Sequence, residues 1–254
     1  MRRHIQRPYE APQRSAMGER PEVEGTRMVW TEVVDTLEEI VQDYERVNHV
    51  ISLYQDERLR RKGAEHLRGW RGILLDLGSG PGNFTSILWE YGEGLVLALD
   101  FSVKMIKVAR RRAGGPRVDF VRGVFEDLPL RDGVLSAVAS AYALRDAPDM
   151  VEVLREIRRV LKPGGRLLIV DVGKPRRRFI RLLFGLYMRH LMPLLGGVAG
   201  RRGYRNPWRR LYETYAQLPV NNELEKWLGD LFDASEVSEY LLGSFIVATA
   251  KRPG

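Results

Sequence analysis

The chain has 254 residues, 44% of them hydrophobic and 29% charged, a composition suited to one well-buried α/β domain with additions. It contains no cysteine and four scattered histidines, which excludes disulfides and cysteine nucleophiles and leaves no metal site to expect. The formal net charge of +8 reflects 41 basic against 33 acidic residues and suits either a solubility bias or a polyanionic partner.

Residues 1–28 carry Pro8, Pro12 and Pro21, many arginines and no apolar periodicity. They read as a flexible basic tail ahead of one domain over 29–254. The first residues lack the apolar stretch of a secretory signal, so a cytoplasmic location is expected. From Thr31, the apolar residues Val33, Val34, Leu37, Ile40, Val41, Tyr44 and Val47 recur at spacings of three and four, predicting an amphipathic helix. A second helix is expected from about Asp56 to Leu67, ended by Gly69, so that 31–67 forms a helical cap.

Strands and helices then alternate. Ile73–Leu77 is a short apolar run followed by a glycine loop and a helix from Phe84 to Tyr91. Leu95–Asp100 is the second run, and Ser102 is a fair N-cap for a helix reaching Arg112. Val118–Val121 and Leu135–Tyr142 read as the third and fourth strands, the latter followed by a helix from about Asp149 to Leu161. Lys162-Pro163-Gly164-Gly165 is expected to stop that helix and turn into a fifth strand, Arg166–Val172. Such alternation implies a parallel sheet covered on both faces.

The C-terminal part departs from this rhythm. Residues 175–217 read as a mostly helical second cap element, and a further helix is capped near Asn221 or Asn222. The longest apolar stretch, Phe179–Ala199, is interrupted by Arg181, Arg189, His190 and Pro193, so no bilayer-crossing run is expected. That stretch is apolar with a basic face, which suits core packing, a lid over a lipophilic substrate, a peripheral contact with anionic membrane, or a homodimer contact. Ser235–Leu242 and Phe245–Ala250 are linked by Gly243-Ser244 alone, too short for a parallel crossover, so an antiparallel hairpin closes the sheet.

The chemistry concentrates at the strand ends. Asp76-x-Gly78-Ser79-Gly80-x-Gly82 lies between a strand and a helix, where glycines let the backbone approach a ligand. The spacing is not that of the dinucleotide fingerprint, and an acid at its head would repel a pyrophosphate but suits the ammonium of a methionine moiety. Asp100 ends the second strand and can accept two hydrogen bonds from ribose hydroxyls. Together they predict S-adenosylmethionine as cofactor. Phe125 and Glu126 stand after the third strand, where adenine is expected; Phe125 suits either stacking on the base or core packing. Phe101, Met105 and Ser140 complete the expected cofactor set.

With these residues in place, the chain resembles the UbiE/MenG family of quinone C-methyltransferases. The likeness rests on Tyr44-Glu45-Arg46-Val47-Asn48, on Leu99-Asp100-Phe101-Ser102, on Ala143-Leu144-Arg145-Asp146, on Arg159-Val160-Leu161-Lys162-Pro163-Gly164-Gly165 and on Tyr187–Pro193 with Leu211–Thr214. It departs where Asp56 and Leu59 replace the family's usual His and Trp, and where Asp171 stands for the usual Glu. The resemblance implies a Rossmann-like class I methyltransferase fold, with a mostly parallel seven-stranded sheet, a C-terminal antiparallel hairpin and helical additions. It implies methyl transfer to a ring carbon of a demethylated quinol, with another small molecule or an RNA as the alternative acceptor.

Such a displacement needs the acceptor aligned with the donor, shielded from water, and activated by loss of a hydroxyl proton. Arg145 is expected to stabilise the phenolate or hold a water, with Asp146 orienting it; a helix-capping ion pair is the alternative. Tyr44 and Asn48, one helical turn apart, are expected to cover the site. The expected partner is a small lipophilic aromatic substrate. Nucleic acid is less favoured, because Ser140-Ala141-Tyr142-Ala143 stands where an Asn/Asp-Pro-Pro-Tyr element would be, and the cysteine-dependent route is closed.

Overall fold

Nine helices flank a seven-stranded sheet in the computed structural model, which describes residues 44–52, 54–200 and 211–254. The tail expected over 1–28, the amphipathic helix expected from Thr31 as far as residue 43, and residues 201–210 lie outside them. The strands are β1 (Ile73–Leu77), β2 (Leu95–Asp100), β3 (Val118–Arg122), β4 (Leu135–Ala141), β5 (Leu161–Val172), β6 (Asp233–Tyr240) and β7 (Phe245–Lys251). Their order is β3-β2-β1-β4-β5-β7-β6, with β7 antiparallel to both neighbours and β1 to β5 mutually parallel. The helices are α1 (Tyr44–Ile51), α2 (Gln55–Ala64), α3 (Asn83–Glu90), α4 (Val103–Ala113), α5 (Met150–Val160), α6 (Arg178–Leu186), α7 (Met192–Ala199), α8 (Leu211–Gln217) and α9 (Asn221–Leu231).

Successive side chains of a strand leave opposite faces, so each continuous apolar run feeds two cores. Leu75, Leu77, Leu97 and Leu99 pack with Leu154 and Ile157 of α5 and Leu228 of α9. Leu74, Val96 and Leu168 pack on the other face with Leu59 of α2 and Phe84, Ile87 and Leu88 of α3. The expected cap at Ser102 forms, its hydroxyl accepting the Met105 N–H at 3.2 Å, and Asp149 also caps its helix, accepting the Glu152 N–H at 3.0 Å. The cap expected near Asn221 or Asn222 falls at Val220 instead, and Asn221 Oδ1 accepts the Lys174 N–H at 2.7 Å. The chain leaves β1 toward β2 on one side and meets β4 on the other. That switch opens a crevice beyond the C-terminal ends of β1 and β4, where ligands bind in such sheets.

Three expectations are corrected. Lys162–Gly165 does not precede the fifth strand but lies within it, as an irregularity between the Leu161–Leu135 and Arg166–Ala137 pairs. The Gly164 N–H donates to Arg252 O at 3.0 Å and the Arg252 N–H to Gly165 O at 2.8 Å, so the chain's end supplies the missing partners. The sixth strand stops at Tyr240: Leu241 and Leu242 adopt φ of 46° and 61° and stand 51% and 74% exposed in the turn to β7, despite their apolar character. Finally, Arg178–Ala199 runs as 22 continuous helical residues, apolar and long enough by length and composition to cross a membrane. Pro193 fails to break it because it stands at the first turn of α7, just after a π turn at Tyr187–Leu191 that already disrupts the regular hydrogen bonding.

Helix α2 seats on β5 through Gly63, where an added Cβ would lie 2.5 Å from Val170 Cγ2. Gly63→Ala should gain helix propensity of about 1 kcal/mol but lose more to overpacking, costing about 1–2 kcal/mol net in denaturant unfolding.

Candidate functional site

The first glycine turn is built by strain-free positive φ and pinned by an acid. Gly78, Gly80 and Gly82 have φ of 76°, 53° and 88°. A Cβ on Gly78 would lie 2.3 Å from that of Ala143 and 3.0 Å from Phe125, so the turn closes directly onto the loop after β4. Gly80 has open space above it, and Gly82 packs against Ala109 of α4. The N–H groups of Gly78 and Ser79 donate to Leu99 O, both at 2.9 Å. Asp100 accepts the Gly80 N–H on Oδ2 and the Ser102 N–H on Oδ1, each at 2.8 Å, tying the β1 and β2 loops together.

These loops surround a cleft of about 840 Å³. Of the residues expected at a cofactor, Gly78, Ser79 and Gly80 line it from the turn, and Asp100, Phe101, Met105 and Phe125 line it from the neighbouring elements. The Ser79 hydroxyl is buried with no hydrogen-bond partner. Four expected residues stand elsewhere. Asp76 is 1% exposed beneath the turn, where its Oδ2 accepts the Thr85 hydroxyl at 2.6 Å; burial pushes its carboxyl up to about 7 against that bond. Ser140 donates to Leu77 O at 2.8 Å and joins β4 to β1. Gly82 serves helix packing, and Glu126 lies outside the lining with Oε1 buried and unpartnered, its carboxyl raised by burial.

A second cleft of about 520 Å³ adjoins the first, and Arg60 and Tyr142 line both. Its wall is largely apolar, with Phe184, Met188, Met192 and Phe245 among its residues, and Asn48 and Arg145 contribute polar groups. Asp146 lines the first cleft instead, so the Arg145–Asp146 pair straddles the boundary. Arg145 Nη1 donates to Asp171 Oδ1 at 3.2 Å, and its Nε lies 3.6 Å from Asp146 Oδ1. Sequence reading placed Asp146 as the residue orienting Arg145; Asp146 pairs with it, and Asp171, at the end of β5, accepts its hydrogen bonds. Burial pushes Asp146 up to about 6 and also raises Asp171, in both cases against the Arg145 charge. The side chain of Tyr44 lies outside the described residues.

Sequence reading missed the partition between the clefts. Asp56, Leu59, Arg60 and Gly63 fall three, four and seven apart on the buried face of α2, a spacing that marks Asp56 and Arg60 as inward-facing. Arg60 Nη1 donates to Asp56 Oδ2 at 2.9 Å, and both side chains are nearly inaccessible. His49 and Ser52 approach the other Asp56 oxygen at 2.9 Å. Burial alone would raise the Asp56 carboxyl; the His49 hydrogen bond and the Arg60 charge hold it below the usual range. The Arg60 guanidinium lies 4.8 Å from the centre of the Tyr142 ring. Tyr142 has φ of 60°, and its buried hydroxyl lacks a partner. His49 does not line the second cleft.

The same fold occurs among solved structures. A SAM-dependent methyltransferase from Thermotoga maritima superimposes with a TM-score of 0.62, at 21% identity over 88% of this chain and 99% of its own. Another from Aquifex aeolicus gives 0.54, at 18% identity over 85% and 98%. The fold is therefore that of the S-adenosylmethionine-dependent methyltransferases. The sequence profile of the ubiE/COQ5 methyltransferase family matches residues 25–249, and the chain belongs to that family. A demethylmenaquinone methyltransferase of Lactococcus lactis is 32% identical over 200 residues, covering 76% of this chain and 79% of its own. One from Symbiobacterium thermophilum is 31% identical over 236 residues, covering 87% and 94%. The chain is an S-adenosylmethionine-dependent methyltransferase.

Removing one member of a buried ion pair leaves the other charge uncompensated. Asp56→Ala should destabilise the protein by about 3–5 kcal/mol in denaturant unfolding, whereas exposed Glu57→Ala should change it by less than about 1 kcal/mol.

Proposed function

We propose that the chain methylates a ring carbon of a demethylated quinol of the menaquinone type, with the donor in the glycine-turn cleft and the acceptor in the apolar cleft beside it. The observation that carries this reading is the second cleft, apolar along most of its wall, yet carrying Arg145 next to the first. Apolar walls with a few placed polar groups suit a greasy aromatic ring. The enzyme works in the cytoplasm, at the membrane surface where such quinols reside.

The donor fits the residues present. Gly80 leaves open space, Ser79 offers a hydroxyl with no hydrogen-bond partner, and Asp100 presents at the cleft a carboxylate of the kind that accepts ribose hydroxyls. Phe101, Met105 and Phe125 supply apolar wall for the base. Asp76 stands below the turn outside the lining, and its carboxyl, raised by burial to about 7, would add negative charge near the methionine end where it is ionised. When bound, S-adenosylmethionine supplies the electrophilic methyl group.

The chain's own residues prepare the acceptor. Loss of a hydroxyl proton makes the neighbouring ring carbon nucleophilic. Asp146, its carboxyl raised to about 6 and its buried Oδ1 paired with Arg145 without a hydrogen bond, accepts that proton. Arg145, fixed by Asp171, holds the resulting phenolate charge in a site of low dielectric. Asn48 on α1 and the helical run above the second cleft exclude water.

Asp100→Ala should weaken donor binding at least about tenfold by calorimetry, because two loop anchors and the ribose acceptors are lost together; unchanged affinity overturns the donor site. Arg145→Ala should leave donor affinity unchanged and lower turnover on a demethylated quinol by about 10²–10³-fold. A base with a carboxyl near 6 is charged above that value, so wild-type turnover should rise as pH climbs through about 6 and then level. Asp146→Asn should lose this limb and about 10²–10⁴-fold in kcat. Methylation of RNA, with none of a quinol, overturns the acceptor assignment.

A further inference from the structure

The run from α6 through α7 has two faces, and only one belongs to the cleft. Phe184, Tyr187, Met188 and Met192 line the second cleft. On the outer side Phe179, Leu182, Leu183, Leu186, Leu191, Leu194 and Val198 are exposed, from 46% for Leu191 to 73% for Val198. A regular α-helix would carry positions 191, 194 and 198 away from the line of 179, 182, 183 and 186. The π turn at Tyr187–Leu191 absorbs the extra residue, so Leu191 falls under Leu186 five positions on, and Leu194 and Val198 continue at three and four. One apolar stripe therefore runs the full 22 residues.

The geometry points to this stripe as the surface by which the enzyme lies on an anionic lipid bilayer, with the helix in the plane of the interface. The inner face rules out spanning: Met188 and Met192 are buried, Phe184 packs edge-on against Tyr215, and the Tyr187 hydroxyl donates to Ile51 O at 2.6 Å. A helix held on one side by protein and apolar on the other is an interfacial helix. Charge selects the occupant. No aspartate or glutamate occurs between Gly173 and Tyr212, while Arg177 and Arg178 are exposed at the start of the run, Arg181 lies one turn on, and Arg189 stacks over Tyr212. Arg176 beside them is neutralised by Glu225 and Glu239. A second copy of this face would bring no acid to pair with these arginines, whereas anionic headgroups would pair with them while the stripe enters the acyl boundary.

This assignment builds on the lipophilic-acceptor reading, because the same helix separates membrane from cleft, yet its test needs no acceptor. The full chain should float with vesicles of phosphatidylglycerol and phosphatidylcholine at least tenfold more than with phosphatidylcholine alone, less so as salt rises. Leu182→Glu with Leu186→Glu should reduce that binding at least tenfold while donor affinity, read by calorimetry, stays unchanged. Binding indifferent to lipid charge, or retained by the double variant, overturns the assignment. So does a wild-type dimer in sedimentation velocity that the double variant dissolves, which would give the face to a second copy.

Discussion

Asp100 receives the Gly80 amide on one oxygen and the Ser102 amide on the other, and the crevice depends on that double bond. The strand order opens a gap beyond β1 and β4, but a gap between loops has no fixed width. By bridging the β1 turn to the start of α4, the carboxylate sets one wall of the donor cleft before any ligand arrives. Gly78 sets the other, since only a residue without a side chain lets the turn rest against Ala143 and Phe125. Both acceptor oxygens are used by backbone while staying on the cleft surface, so one residue shapes the site and presents charge to it.

The second theme is buried charge at the boundary of the two clefts. Asp56 with Arg60, and Arg145 with Asp146 and Asp171, put five ionisable groups where water is scarce. Such arrangements cost desolvation and are poor devices for stability. Their value is directional. Asp56 fixes Arg60 against Tyr142 at the partition, and Asp171 fixes Arg145 toward the second cleft. Burial, with the charge of Asp171 behind it, raises Asp146 to about 6 against the pull of Arg145.

The helical run above the second cleft joins it to an exposed surface. The π turn spends regular hydrogen bonding to keep one stripe outward while its other residues reach the cleft. A single element thus supplies the cleft's apolar wall and the molecule's longest exposed apolar feature among the described residues.

The sequence by itself determined the sheet, the position of the glycine turn and the acids at two strand ends, because these are written in local patterns: apolar runs of strand length, glycines at positive φ, and caps such as Ser102 and Asp149. It also marked Arg145 and Asp146, through their place after the fourth strand and their resemblance to a family motif. Tertiary structure decided what those acids touch. Asp76 and Asp100 look alike in sequence, yet one is sealed beneath the turn by Thr85 and the other bridges two loops in the cleft. Asp171 as the partner of Arg145, and Arg60 with Tyr142 as the partition, join residues 26 and 82 positions apart. No periodicity encodes such pairs. They follow from strand order and from which helix lands on which face, so only the folded chain brings them together.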